Sequence, residues 1–118
     1  MRYRRQETLR YTFGDPRPAN FKITKIDSRT VSTSMGKAEV LDISPGGMKL
    51  STEVNVPLTM KVQLLVQTTI ADIPLTFTAD VMWSKEVDGF YHYGLQFIED
   101  QGETVIHALK KYRKQESE

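Results

Sequence analysis

Apolar residues alternate with polar ones along most of the chain, a period of two that is typical of β-strands with one buried face. The clearest run is Leu75–Trp83, and a turn signal at Val87–Gly89 separates it from a partner run at Phe90–Phe97. Shorter or denser runs of the same kind lie at residues 21–26, 38–41, 48–51 and 60–70. The pattern predicts a mainly β fold, a small antiparallel β-barrel of six to seven strands that is closed or nearly closed.

The final segment, residues 100–118, changes to a helical period. Asp100 can cap the first turn, and Glu103 stands at the capping-box spacing from it. The apolar stripe consists of Val105, Ala108, Leu109 and Tyr112. These positions predict a C-terminal α-helix that packs on or beside the barrel.

The first segment, residues 1–13, is too polar and too rich in arginine to predict as a strand. We expect a flexible arm here, because the segment has little apolar surface to bury. Gly14–Pro18 is typical of a turn, and the barrel is expected to occupy residues 14–99. A length of 118 residues suits one domain made of arm, barrel and helix.

Composition excludes several classes of protein. The chain has no cysteine, which excludes disulfides and thiolate metal sites. Its second residue is already charged, which argues against a secretory signal. No apolar run approaches the ~20 residues that a membrane span needs. A cytoplasmic protein without a membrane span is therefore expected.

Charge is balanced overall but not along the chain. Residues 1–29 hold eight basic and three acidic residues, and the remainder holds eight basic and twelve acidic ones. The two parts carry +5 and −4, which together give the net charge of +1. This asymmetry indicates a local anion site and not a surface that coats a nucleic acid polymer.

The sequence offers little for catalysis. His92 and His107 lie in different predicted elements and lack the partners of a known motif. The chain contains no HExxH, GxSxG, Walker or dinucleotide-binding glycine motif. We therefore expect no enzyme, no catalytic residue and no metal site.

The turn Asp42–Gly47 and the arginines of the arm offer a binding site instead. Asp42 and Ser44 lie two apart, so on an extended segment their side chains share a face. Gly46 and Gly47 permit positive φ and close backbone approach. Taken alone, the turn is better explained by ordinary turn formation through the aspartate side chain.

The arginines of the arm favour the binding site over an ordinary turn, because their planar guanidinium groups match phosphate oxygens and also the O6 and N7 atoms of guanine. An aspartate complements them by accepting from the N1–H and N2–H groups of guanine. A ligand with both guanines and phosphates could use the arm and the turn together. The arm arginines are Arg2, Arg4, Arg5 and Arg10.

In this order the features resemble the PilZ domain, a family that binds the bacterial second messenger cyclic di-GMP. Asp42, Ser44 and Gly47 match the three defining positions of its DxSxxG motif, and Val81–Trp83 and Tyr91–Phe97 match its later strands in character. The resemblance extends from about Arg4 to Phe97. It implies a PilZ-like split barrel whose ligand is cyclic di-GMP, with no other cofactor.

The first family motif, RxxxR, is altered in this chain. Arg10 fits the second arginine, but the position four residues earlier is Gln6, and Arg5 is one residue further away. Either a bulge in the arm brings Arg5 into the first position, or Gln6 occupies it while Arg5 or Arg4 contacts phosphate from outside. The resemblance also implies that a basic residue before this motif, Arg4 or Arg5, can favour a stacked, dimeric ligand.

The sequence therefore predicts a cyclic di-GMP receptor that orders its arm on binding and signals to a separate effector protein, as a monomer or a ligand-linked dimer. The predicted ligand-binding residues are Arg4, Arg5, Gln6, Arg10, Asp42, Ser44, Gly46 and Gly47. The alternative is a degenerate protein-interaction module that binds no nucleotide. Trp83 and the strand tyrosines could form its surface, although core packing is the expected use of these aromatics.

Overall fold

In the computed structural model, which describes residues 10–56, 58 and 60–117, seven strands precede a C-terminal helix. The strands are β1 (Tyr11–Ile26), β2 (Arg29–Thr30), β3 (Gly36–Ser44), β4 (Gly47–Thr52), β5 (Val62–Ile70), β6 (Ile73–Val87) and β7 (Phe90–Phe97), and the helix is α1 (Gly102–Glu116). The predicted mainly β fold with a C-terminal helix is confirmed.

Six of the strands form a closed antiparallel barrel, as predicted. Going round the barrel, β1 pairs with β3, β3 with β4, β4 with β7, β7 with β6 and β6 with β5. The pairing of β1 with β5 closes the ring, and the short β2 extends only the far end of β1. Within residues 10–117 as described, closure leaves no long unpaired edge on the barrel.

Apolar side chains on the inward faces fill the barrel. Phe77 and Phe97 stack with their ring centroids 4.4 Å apart. The hydroxyl of Tyr93 accepts from the Val56 N–H at 2.6 Å and donates to the Val54 carbonyl at 3.0 Å, which satisfies a polar group inside the core. Desolvation by this burial raises the pKa of Tyr93. Other fully buried side chains are Val40, Ile43, Met48, Leu50, Leu64, Val66 and Ile70.

The first strand is longer than the sequence predicted. It begins at Tyr11, within the segment expected to be the arm, and it continues through Gly14–Pro18, where a turn was predicted. Between Thr12 and Arg17 the pairing shifts, so that five steps along β1 are matched by two steps along β3. The turn-forming residues are thus accommodated within one strand, as a bulge of several residues.

Two tight turns join β5 to β6 and β6 to β7, the second of them at the turn predicted for Val87–Gly89. The first contains Ala71 and Asp72, with φ of 54° and 65°, and the second contains Asp88 and Gly89, with φ of 51° and 86°. Two successive left-handed residues in a two-residue loop form a type I′ turn, whose twist matches that of the strands it joins.

The helix begins differently from the prediction. Gln101 occupies the capping position, and the Asp100 carboxylate accepts from the Gly102 N–H at 2.9 Å. Glu103 is therefore the second helical residue, one place short of where a capping box needs it, and the predicted box is wrong.

The predicted apolar stripe is the face of α1 that packs on the barrel. Tyr112 makes edge-to-face contacts with Tyr11 at 6.0 Å and Phe13 at 5.3 Å between ring centroids. The Tyr11 hydroxyl donates to the Glu116 carboxylate at 2.7 Å. These contacts tie the start of the barrel to the end of the helix. The buried residues of the helix are Val105, Ala108 and Leu109.

Candidate functional site

Asp42 lies near the end of β3, and only 5% of it is exposed. A buried carboxylate needs compensating charge, because taking it out of water is costly. The Arg10 guanidinium donates to its Oδ1 atom, and the Lys49 ammonium lies 3.6 Å from its Oδ2 atom. Arg10 directly precedes β1 and Lys49 lies opposite Asp42 on β4, so three elements bring these charges together.

The turn after Asp42 is a tight β3–β4 hairpin. Ser44 pairs with Gly47, and the Ser44 hydroxyl donates to the Gly47 carbonyl at 3.3 Å. A Cβ atom at Gly47 would collide with the Leu95 carbonyl oxygen on β7, so this glycine is required by close backbone approach. Positive φ is not used here: within the described chain, Gly89 is the glycine that has it.

A cleft of about 260 Å³ opens beside the Arg10–Asp42 ion pair. It combines a carboxylate, two cations and an indole within one small volume, which are the groups needed to bind a charged aromatic ligand. Its lining residues are Arg10, Asp42, Met48, Lys49, Met82, Trp83, Gly94 and Leu95.

Trp83 lies on the outside of the barrel, and the expectation that it packs in the core is wrong. The pairing of β6 with β7 shifts between Val81 and Trp83, which interrupts the alternation of the strand and leaves Trp83 46% exposed. The indole lies against Gly94, where an added Cβ would collide with the ring. A glycine inside a strand often marks such a close approach, and this was the available sequence signal.

The structure brings together part of the predicted set. Arg10 and Asp42 are in direct contact, and Ser44, Gly46 and Gly47 form the adjoining hairpin. The cleft also contains residues that the sequence reasoning did not select, namely Lys49, Met82, Trp83 and Gly94. The remaining predicted residues, Arg4, Arg5 and Gln6, lie outside the described residues.

A second, larger depression of about 1180 Å³ contains none of the predicted residues. Arg17 and Tyr112 lie in its wall, with the guanidinium carbon 5.8 Å from the ring centroid. Its acidic and basic side chains are mixed, and among the described residues no ion pair joins two of them, whereas Asp42 is paired with both Arg10 and Lys49. We therefore place the candidate site at the smaller cleft.

In the described part of the chain, no cluster of three or more histidine, aspartate or glutamate side chains is arranged to hold a metal ion. The helix that the structure describes is neither long nor apolar enough to span a lipid bilayer.

Comparison with protein families matches residues 4–115 to the PilZ domain. The match covers nearly the whole chain, including the first strand, the Asp42–Gly47 hairpin and most of the helix. Comparison with curated proteins finds no match.

Proposed function

Because the chain belongs to the PilZ domain family, we propose that it is a cyclic di-GMP receptor whose ligand binds at the cleft beside Asp42. PilZ domains are regulatory cyclic di-GMP binders and not enzymes. The meeting of Arg10, Asp42 and Trp83 at one cleft is the observation that supports this placement.

Asp42 is the residue that recognises guanine in this proposal. Its carboxylate accepts from the N1–H and N2–H groups of the base, which no other common base presents side by side. Ser44 supplies a hydroxyl two residues along. Gly46 is exposed and lets the ligand approach the backbone of the hairpin, while Gly47 lets the hairpin pack against β7. Arg10 and Lys49 compensate the charge of Asp42, and the guanine donors would replace part of that compensation.

Trp83 offers a flat surface for one of the guanines. Its ring is half exposed and lies beside the Asp42 carboxylate in the same cleft. Stacking of a base on an aromatic side chain contributes about 1–3 kcal/mol, as measured by alanine substitution. Aspartate at the base edge and tryptophan at the base face together fix the orientation of the ligand.

Arginines bind the phosphates in this proposal. Arg10 already lies at the cleft, and its planar fork can make two hydrogen bonds to one phosphate. The arm supplies the remaining contacts, either with Arg5 in the first motif position or with Gln6 there and Arg5 or Arg4 outside it. Binding then orders the arm over the cleft, and a separate effector protein recognises the new surface of a monomer or ligand-linked dimer.

An interaction module that binds no nucleotide is the second candidate. It is favoured by the exposed apolar side chains of Met82 and Trp83, which are 58% and 46% exposed. Neighbouring exposed apolar side chains of this kind are common at protein-binding surfaces.

Isothermal titration calorimetry with cyclic di-GMP tests the proposed function. We expect the wild-type chain to bind, and Arg10→Ala and Asp42→Ala to bind much more weakly. Removing one charged partner costs about 1.5–3 kcal/mol, or roughly one to two decades of affinity. Gln6→Arg should bind more tightly, because it restores the RxxxR spacing to Arg10.

Arg29→Ala is the matched control, since Arg29 is exposed on β2 and pairs with the opposite end of β1 from Arg10. It should bind like the wild type. The absence of heat with the wild type at tens of micromolar would contradict the receptor proposal and favour the interaction module. Equal binding by the wild type and Arg10→Ala would show that Arg10 has no part in the site.

A further inference from the structure

Lys49 is held at the cleft by the barrel itself. It lies on β4 between two partner strands, opposite Asp42 on β3 and opposite Gly94 on β7. Its ammonium is 3.6 Å from the Asp42 Oδ2 atom, and its side chain is 36% exposed. The Trp83 indole fills the space where a side chain at Gly94 would stand, so the ring and Lys49 both line the cleft.

The charges around Asp42 do not cancel. One carboxylate is shared by two cations, with Arg10 on Oδ1 and Lys49 on Oδ2. Among the described residues, the cleft therefore carries one surplus positive charge. Guanine donors that bind to the carboxylate would displace at least one of these cations from it and leave that cation in need of an anion.

We propose that Lys49 is a specificity-determining residue that binds a phosphate of the ligand when guanine displaces it from Asp42. The inference rests on the proposed function. The ammonium has three donors on a flexible stem, so it can leave Oδ2 and reach a phosphate near the cleft without any movement of β4. Base and phosphate must then arrive together, which disfavours guanosine, which lacks a phosphate, and cyclic di-AMP, which lacks the guanine edge.

The test is calorimetry with cyclic di-GMP at low and high NaCl, comparing the wild type with Lys49→Gln and Lys49→Arg. Lys49→Gln should weaken binding roughly five-fold, since the ammonium is partly exposed. Its affinity should also fall less steeply with salt, because one screened contact to phosphate has been removed. Lys49→Arg should retain most of the affinity and the salt dependence.

Lys37→Gln is the matched control, because Lys37 is exposed on the neighbouring strand β3 and lines the other depression. It should leave both the affinity and its salt dependence unchanged. Equal melting temperatures of the variants would show that Lys49→Gln does not act through unfolding.

The outcomes separate this inference from the proposed function. No binding by the wild type would overturn both. Binding by the wild type with unchanged affinity in Lys49→Gln would overturn the role of Lys49 alone. Weaker binding with an unchanged salt dependence would also overturn it, since Lys49 would then only orient Asp42.

Discussion

Gly94 shows how a residue without a side chain can set the geometry of the candidate site. The Trp83 indole occupies the space where a side chain at Gly94 would stand. The position of the ring is therefore set by a missing Cβ on the neighbouring strand, and any larger residue there must displace the ring.

We expect Gly94→Ala to move Trp83 out of the cleft and to destabilise the fold by about 1–3 kcal/mol, the usual cost of an overpacked contact. Trp83 is the only tryptophan in the chain, so its fluorescence reports the change directly. Emission should shift to longer wavelength, and the affinity for cyclic di-GMP should fall.

Gly14→Ala is the control for this substitution, because an added Cβ at Gly14 meets no heavy atom within 4 Å. Its emission spectrum and melting temperature should match those of the wild type. An unchanged spectrum in Gly94→Ala would mean that the indole does not depend on Gly94 for its position.

Among single residues of the candidate site, the sequence pointed to the charged side chains but not to the tryptophan. Asp42 and Arg10 could be selected because they stand at positions of the DxSxxG and RxxxR motifs. Trp83 could not, because the bulge that turns it outward changes the face without changing the alternation of residue types. Lys49 was missed because one lysine on a strand has no distinctive pattern.

The hairpin turns are the elements in which backbone strain can be located. Ala71 has a φ of 54°, a left-handed conformation that disfavours a residue with a Cβ. The equivalent place in the next turn is held by Asp88, and aspartate tolerates this conformation better because its side chain can bond locally.

Ala71→Gly should therefore stabilise the protein by about 0.5–1 kcal/mol, since relief of the left-handed conformation outweighs the greater freedom of glycine in the unfolded chain. Chemical denaturation would measure this as a higher midpoint with an unchanged slope. Gly89→Ala is the reverse control, because Gly89 has a φ of 86°, and it should be destabilising. A lower midpoint for Ala71→Gly would show that the methyl group, which is mostly buried, matters more than the strain.

Elements with strong turn chemistry were the ones that the sequence predicted well. Asp88-Gly89 marked a hairpin because both residues accept the conformation that a type I′ turn needs. The same reasoning failed at Gly14–Pro18, because glycine and proline occur in a multi-residue bulge as readily as in a true turn. Only the pairing of the flanking residues with β3 distinguishes the two cases.

Across the whole molecule, the Tyr11–Glu116 hydrogen bond joins the first strand to the last helix. This bond, followed by desolvation, raises the pKa of Tyr11 to about 12. A raised pKa means that the folded state holds the phenol proton more tightly than the unfolded state. The contribution to stability is therefore complete below pH 10 and is lost as the pH rises through about 12.

We expect Tyr11→Phe to be less stable than the wild type at pH 8 and the difference to shrink between pH 10 and 12. Denaturation curves at a series of pH values would measure it. Tyr91→Phe, a substitution on β7, leaves the hydrogen bond to the helix intact. Its difference in stability from the wild type should not shrink between pH 10 and 12 in the same way. A constant difference between the wild type and Tyr11→Phe at every pH would contradict the role of the hydrogen bond.

The overall architecture was readable from the sequence because several strands repeated one simple pattern and a helical stripe followed. The pairing of β1 with β5, which closes the barrel, could not be predicted from the sequence. It joins segments far apart in the chain, and the other strands show the same alternation of apolar and polar residues. Pattern alone predicts that strands exist, whereas tertiary packing decides which of them meet.

That closing pairing also bears on how fast the barrel forms. The Thr68 hydroxyl donates to the Pro18 carbonyl across 50 residues of chain, and the contact between Tyr11 and Glu116 spans 105. Barrels dominated by such distant contacts fold in milliseconds to seconds, because the entropy of a long loop is lost before any contact repays it. The hairpins β3–β4, β5–β6 and β6–β7 can form early from neighbouring residues, while β1 must wait for β5. The strand that Arg10 precedes is therefore expected to join the barrel late in folding.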